Sequence, residues 1–193
     1  RIGLDFNGVG NHEFDHGSAE LQRLQTGGCA AGGCKSGTTF EGARFGILAA
    51  NVVVRETAKP LLPAYGIKTF GDIRIAFVGA TLKGTPALVP GEGVAGLDFI
   101  DEADAVNRLV PELRAQGVET IVVLLHQGGA QRGGDYNSCV GFSGPVVDIA
   151  RRLDPAVDVV VSGHTHQAYV CQLHGKLVTS AGSYGRLLTE IDL

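Results

Sequence analysis

The chain of 193 residues contains no methionine and opens on Arg1. A complete reading frame starts with Met, so the sequence reads as trimmed at its N-terminus, a processed product or a cut piece. No basic run appears anywhere, and the net charge is −4 with an isoelectric point near 5.8. That balance argues against nucleic acid or an anionic membrane as a partner. No apolar stretch approaches the roughly 20 residues that span a bilayer; the longest, 121–125 and 157–161, are strand-length. There is no internal repeat and no low-complexity tail. None of the four cysteines, Cys29, Cys34, Cys139 and Cys171, forms a CxxC pair, which excludes the zinc-finger spacings.

What is present is enough apolar sequence, 44%, for one ordinary globular domain with a real core. The even cysteine count in loop-like contexts favours disulfides over buried thiols, and hence an exported protein. Cys29 and Cys34 bracket a four-residue Ala/Gly loop able to bring their sulfurs together. Residues 26–44 are rich in Gly, Ser and Thr and read as a long surface loop. The rest alternates. Helices are expected over 18–25, over 101–116 with Asp101 as cap and Gly117 as stop, and over 143–153 with Pro145 in its first turn. Pro111 predicts a kink or an early stop in the second of these. Strands are expected over 45–54, 65–70, 73–78, 120–126, 157–162, 168–173, 177–180 and 187–191, with a hairpin at Gly71-Asp72. The order is that of a layered α/β domain with a mixed sheet.

Polar chemistry collects at strand ends, where α/β folds bind ligands. The stretch GNHEFDHG, residues 10–17, follows a short apolar approach. One strand runs into His126 and Gln127-Gly128-Gly129, and another into Gly163-His164-Thr165-His166. Imidazoles and an amide oxygen beside glycines suit a divalent metal. His164 and His166 would face opposite ways if extended, but a bend at Gly163 lets them straddle a cavity and serve two adjacent ions. Two ions roughly 3.5–4 Å apart are the usual clamp for phosphate ester hydrolysis. Each cluster alone has a plainer reading: solvated loop histidines, a structural histidine, or a turn with Asn11 left-handed. The conjunction of three is harder to dismiss. His16 and His174 end no buried strand and are expected on the surface.

These residues resemble the calcineurin-like metallophosphoesterases. The likeness is closest to their bacterial exported 5'-nucleotidase branch. It is carried by GNHEFD, the strand ending in His126, and GHTH, and supported by ILAANVV, VGATLKGTP, DEADAVNRLVPELRAQGV and VTSAGSYGRLLTEIDL. The resemblance implies a four-layered α/β/β/α sandwich with mixed sheets. It implies that Asn11, His126 and His164 hold one metal and that His166 belongs to a second. His12 would be the catalytic histidine beside the phosphate, oriented by Asp15. His12 is also followed by a helix start, whose N–H groups favour anions. The ions would be Mn, Zn, Fe or Co. The substrate would be a small phosphate ester of the nucleotide class: a 5'-nucleotide, a 2',3'-cyclic nucleotide or a UDP-sugar.

The pattern departs from that family at its start. An Asp-x-His motif and a Gly-Asp, which supply the bridging carboxylate, are expected upstream of GNHE. Here Asp5 is the sole upstream carboxylate and reads as a surface residue before a strand. Residues 1–193 are therefore expected to be one catalytic domain, incomplete at its N-terminus and without the family's nucleotide-gripping C-terminal domain. Two readings follow. One is a phosphoesterase domain, secreted, cell-surface or periplasmic, impaired when alone. The other is a non-catalytic metal-binding or interaction fragment that keeps one ion or none. Asp15 and Asp135 are poor replacements for the bridge. Cys139 and Cys171 would staple the His126 loop if the two loops lie side by side.

Overall fold

The computed structural model describes residues 3–30, 32–34 and 37–193. Its frame is a six-stranded sheet. The hairpin β5 (Tyr65–Phe70) and β6 (Ile73–Ala80) forms one edge, with Phe70 opposite Ile73 and Gly71 at φ 60°. The parallel strands β8 (Thr120–Leu125) and β9 (Val157–Ser162) follow, then β11 (Lys176–Ala181), which runs parallel to β9. β10 (Ala168–Leu173) closes the other edge, antiparallel to β11. Helices α2 (Glu102–Ala115) and α3 (Pro145–Arg152) make the crossovers from β6 to β8 and from β8 to β9. They cover one face through Val106, Val110, Leu113, Val146 and Ile149.

The other face carries Ile75, Val122 and Val159. Against it lies a second β layer. β1 (Phe6–Gly8) pairs in parallel with β2 (Gly46–Leu48), and β3 (Val52–Val54) lies between β4 (Lys59–Pro60) and β7 (Leu97–Phe99). The layers are close enough that a Cβ at Gly79 would sit 2.2 Å from the Leu48 carbonyl oxygen, so only glycine fits there. Helix α1 (Ser18–Thr26) is the outermost layer and buries Leu21 with Phe14, Val52 and Leu97. The result is the expected α/β/β/α order with mixed sheets.

Local sequence explains most of these elements. Asp101 caps α2, its Oδ1 accepting from the N–H groups of Ala103 (3.1 Å) and Asp104 (3.3 Å). The same carboxylate takes a bidentate pair from Arg152 at 2.8 and 3.0 Å, tying α2 to α3 and holding its own pKa down. Gly117, at φ 74°, follows the α2 cap. Loop 26–44 is irregular as expected, apart from isolated bridges such as Gly28 to Phe40; Ala31, Lys35 and Ser36 lie outside the described residues.

Three expectations fail. The run 45–54 is two strands, not one. Asn51, fully buried between them, donates from Nδ2 to the carbonyls of Thr81 and Ile100 and accepts from the Thr81 N–H. A buried amide must find partners, and this one stitches the layers together where a ladder would otherwise continue. The early stop, one of the two outcomes expected at Pro111, does not occur: α2 runs on to Ala115, as expected over 101–116, because Val110 and Leu113 are packed into the core. Residues 187–191 form no strand. β11 already has partners on both edges, and positive φ at Gly182, Tyr184 and Gly185 turns the chain away from it. Ile191 instead packs on the sheet face that carries Ile75, Val122 and Val159.

Candidate functional site

Three chain segments meet at the C-terminal ends of β1 and β8 and the C-terminal end of β9. Asn11 follows β1 and is 2% exposed, with φ −68°, so the left-handed turn reading does not hold. Its Oδ1 lies 2.9 Å from Nε2 of His126, the residue that follows β8. The His126 N–H donates to the Ala80 carbonyl at 2.8 Å, fixing where the side chain leaves the sheet. Gly10 is required beside it: a Cβ there would meet His126 Cε1 and Glu13 Oε2, each at 2.7 Å. His164 follows β9, and its ring stands edge-on to His126 with centroids 5.2 Å apart.

The bend that turns the two GHTH imidazoles is not made by Gly163. His164 and His166 themselves adopt φ 67° and 55°, a left-handed conformation that side chains disfavour. Strain of this kind costs on the order of 1–3 kcal/mol per residue and persists where surrounding structure enforces it. Here Thr165, between them, donates from Oγ1 to the Gly129 carbonyl at 2.8 Å. Behind it a buried chain runs from the Gly129 N–H to the Tyr169 hydroxyl, on to Ser162 Oγ and then to the Thr179 carbonyl. Burial raises the Tyr169 pKa, so it remains a donor. Cys171, bonded to Cys139 with Cα atoms 5.2 Å apart, fastens the loop after His126 to β10. Cys29 and Cys34 are bonded likewise, 4.8 Å apart.

Burial lowers the His126 pKa to about 4, and the neighbouring imidazoles of His164, His12 and His166 push the same way. His164 is lowered by burial and by His166 and His12. Both rings are neutral at pH 7; Asn11 Oδ1 can only accept, so the hydrogen of the His126 ring sits on Nε2 and its lone pair on Nδ1. His12 lies in a 3₁₀ turn (His12–Phe14) and is exposed. Its Nδ1 stands 2.9 Å from Asp15 Oδ2, so Nε2 is the nitrogen turned outward. The helix start expected to follow His12 is that of α1, at Ser18. His166 is exposed, and its ring contacts Tyr184 at 5.9 Å. His16 and His174 are exposed, as expected.

The carboxylates are occupied elsewhere. Asp5 pairs with Lys68, Asp15 with His12, and Glu13 accepts from the Gly10 N–H at 2.7 Å. Asp135 sits on an exposed loop and accepts from the Asn137 N–H. Among the described residues, no three His, Cys, Asp or Glu side chains converge to hold a metal. The amide oxygen and neutral imidazoles of Asn11, His126 and His164 fit part of one ion's shell, not a carboxylate-bridged pair. Glu13 and Tyr184 were given no role by sequence reasoning. Glu13 stands inside the quoted GNHEFDHG and Tyr184 inside AGSYGR, but only the fold shows what either touches.

Comparison with known proteins shows the family. The calcineurin-like phosphoesterase family matches residues 8–168. The chain is 36% identical over 192 residues to Endonuclease YhcR of Bacillus subtilis, covering 100% of this chain and 15% of that protein. It is 34% identical to Cell wall protein Lmo0130 of Listeria monocytogenes, covering 99% and 26%, and 28% identical to the 5'-nucleotidase of Vibrio cholerae, covering 92% and 29%. It thus spans less than a third of the length of each. The 5'-nucleotidase precursor from Thermus thermophilus superimposes with a TM-score of 0.66 at 28% identity, over 94% of this chain and 34% of that one. The chain belongs to the calcineurin-like phosphoesterase family.

Proposed function

We propose that this chain is a metal-dependent phosphoric ester hydrolase domain acting on nucleotides, the class named by its 5'-nucleotidase relatives. The observation that carries the reading is the His12–Asp15 pair, open to solvent beside the part-buried Asn11–His126 pair with its neutral ring. Asn11, His126 and His164 would hold one divalent ion, Mn, Zn, Fe or Co, and His166 would contribute to a second. Divalent ions supply positive charge at the phosphoryl oxygens and lower the pKa of water. The chain's own residues do the rest. Asp15 accepts the Nδ1 hydrogen of His12 and fixes the ring. As a water oxygen attacks phosphorus and the ester P–O bond breaks, Nε2 hands a proton to the departing oxygen, and the proton lost by the water returns to Nε2. Gly10 lets the His12 segment lie against the His126 ring. Two paired cysteine sets and a relative named as a cell wall protein support an exported location.

A second reading, metal binding without turnover, is favoured by the engagement of Asp5 with Lys68, Asp15 with His12 and Glu13 with the Gly10 N–H, which leaves none of the three free to bridge two ions. One set of measurements separates the two. Phosphate release from a nucleotide in excess Mn²⁺ should fall roughly 10²- to 10⁴-fold in His12→Ala, the range for losing a general acid, with far-UV circular dichroism unchanged. Unchanged release in that variant would sink the role of His12. Elemental analysis of the desalted protein showing one ion, with no release from the unaltered chain, would establish the second reading.

A further inference from the structure

Tyr169 is fully buried, yet its side chain ends in a hydroxyl. The hydrogen bonds around that hydroxyl have one possible direction. Ser162 Oγ donates to the Thr179 carbonyl at 3.0 Å, which uses its single hydrogen. The Tyr169 hydroxyl must therefore donate to Ser162 and accept from the Gly129 N–H at 3.3 Å. Every hydrogen along this chain points the same way, and buried bonds in such a series reinforce one another. The ring that carries the hydroxyl is itself fixed, edge-on to Phe142 with centroids 4.5 Å apart.

The chain joins the two segments that carry the buried imidazoles. Ser162 ends β9, and only Gly163 separates it from His164. Gly129 lies three residues beyond His126. Its carbonyl accepts from Thr165 Oγ1 at 2.8 Å. Gly129 thus holds residues 162–165 at both ends, through its N–H and Tyr169 at Ser162, and through its carbonyl at Thr165. His164 sits between the two anchors, at φ 67°. Gly129 is firm enough to serve: its neighbour Ala130 exchanges both backbone hydrogen bonds with Ser143, at 2.8 and 3.0 Å, and the Val146 N–H donates to the Gly128 carbonyl at 3.3 Å. A strained backbone persists only where its surroundings over-determine it, and two anchors on one residue do that. We propose that Tyr169 is a positioning residue, which through Gly129 and Ser162 sets the 5.2 Å separation of the His126 and His164 rings. Its relevance to the ion rests on the metal-site reading above. Tyr169 acts through the backbone of the two segments that carry the rings.

The test uses variants that keep shape: Tyr169→Phe, Thr165→Val, the two combined, and Thr165→Ser, which keeps a hydroxyl. One readout is the nuclear Overhauser effect between the His126 and His164 rings in metal-free, histidine-labelled protein. The other is the Mn²⁺ dissociation constant by calorimetry. Tyr169→Phe and Thr165→Val should each diminish the ring–ring effect and weaken Mn²⁺ about tenfold, the lower end of the range for groups that orient metal ligands. Thr165→Ser should retain both. Because the two variants release the same segment, their combination should lose less than the product of the single losses. Should Tyr169→Phe fail to fold, Ser162→Ala removes the acceptor of the same hydrogen and is read in its place. An unchanged ring–ring effect in Tyr169→Phe, a combined loss equal to the full product, or a Thr165→Ser variant as impaired as Thr165→Val would overturn the proposal. Failure of the unaltered protein to bind Mn²⁺ would instead defeat the metal reading, and the ring–ring effect in metal-free protein would still decide the role of Tyr169.

Discussion

The bond between Cys139 and Cys171 offers a direct measure of how firmly the loop after His126 is tied down. The two residues are 32 apart in sequence. Closing a loop of that length removes denatured-chain entropy worth about 3.7 kcal/mol at 25 °C on the chain-entropy estimate. For a chain of this size each kcal/mol moves the melting temperature by about 2–4 °C. The useful variant is Cys139→Ala. Cys139 is only half-buried, whereas Cys171 is 1% exposed within the core. Leaving Cys171 in place as a thiol therefore preserves its packing and removes only the cross-link. The expected outcome is a fall in melting temperature of about 7–15 °C by calorimetry under non-reducing conditions. The short Cys29–Cys34 loop should give a smaller loss, about 2 kcal/mol on the same estimate. The longer bond also holds the segment carrying Gly128 and Gly129, on which Thr165 and hence the GHTH turn depend. Metal affinity should fall in parallel with stability. An unchanged melting temperature in Cys139→Ala would refute the cross-link argument outright.

Two further outcomes follow from the site. Gly10→Ala places a methyl 2.7 Å from the His126 ring and from Glu13; the ring must move from Asn11, and Mn²⁺ binding by isothermal calorimetry should weaken at least tenfold while the fold persists. The pH dependence comes from His126, neutral in the folded protein down to about pH 4 against an ordinary value of 6.5. The unfolded chain takes up that proton first, so its contribution is complete above pH 6.5 and is lost as pH falls from 6.5 towards 4. The gap corresponds to about 3 kcal/mol, reduced to ~2 by the ring's partial exposure. Denaturant melts of His126→Gln should lack this acid loss; an identical pH profile in the two proteins would refute it.

Much of this molecule was legible in order along the chain. Alternating apolar runs and caps place α2, α3, β8, β9 and β10 close to where they fall, because periodicity and capping are local. GNHE, His126 and GHTH announced themselves as strand-end chemistry for the same reason, since a polar cluster beside glycine at the end of a buried run has few other uses. The family resemblance came from those same residues and named their partners. What could not be read was whatever depends on two distant segments meeting. Asn51 breaks a β-prone run because its amide reaches Thr81 and Ile100. Pro111 is tolerated because Val110 and Leu113 are held by the core. Residues 187–191 lack a strand because β11 has no free edge. The left-handed turn at His164 and His166, the engagement of Glu13 with Gly10, and the meeting of Tyr184 with His166 are likewise products of packing. Sequence by itself determined which side chains could do chemistry and which strands would carry them. Tertiary structure alone decided which imidazoles face one another and which carboxylates are already taken, because partners far apart in the chain are chosen by the fold and not by spacing.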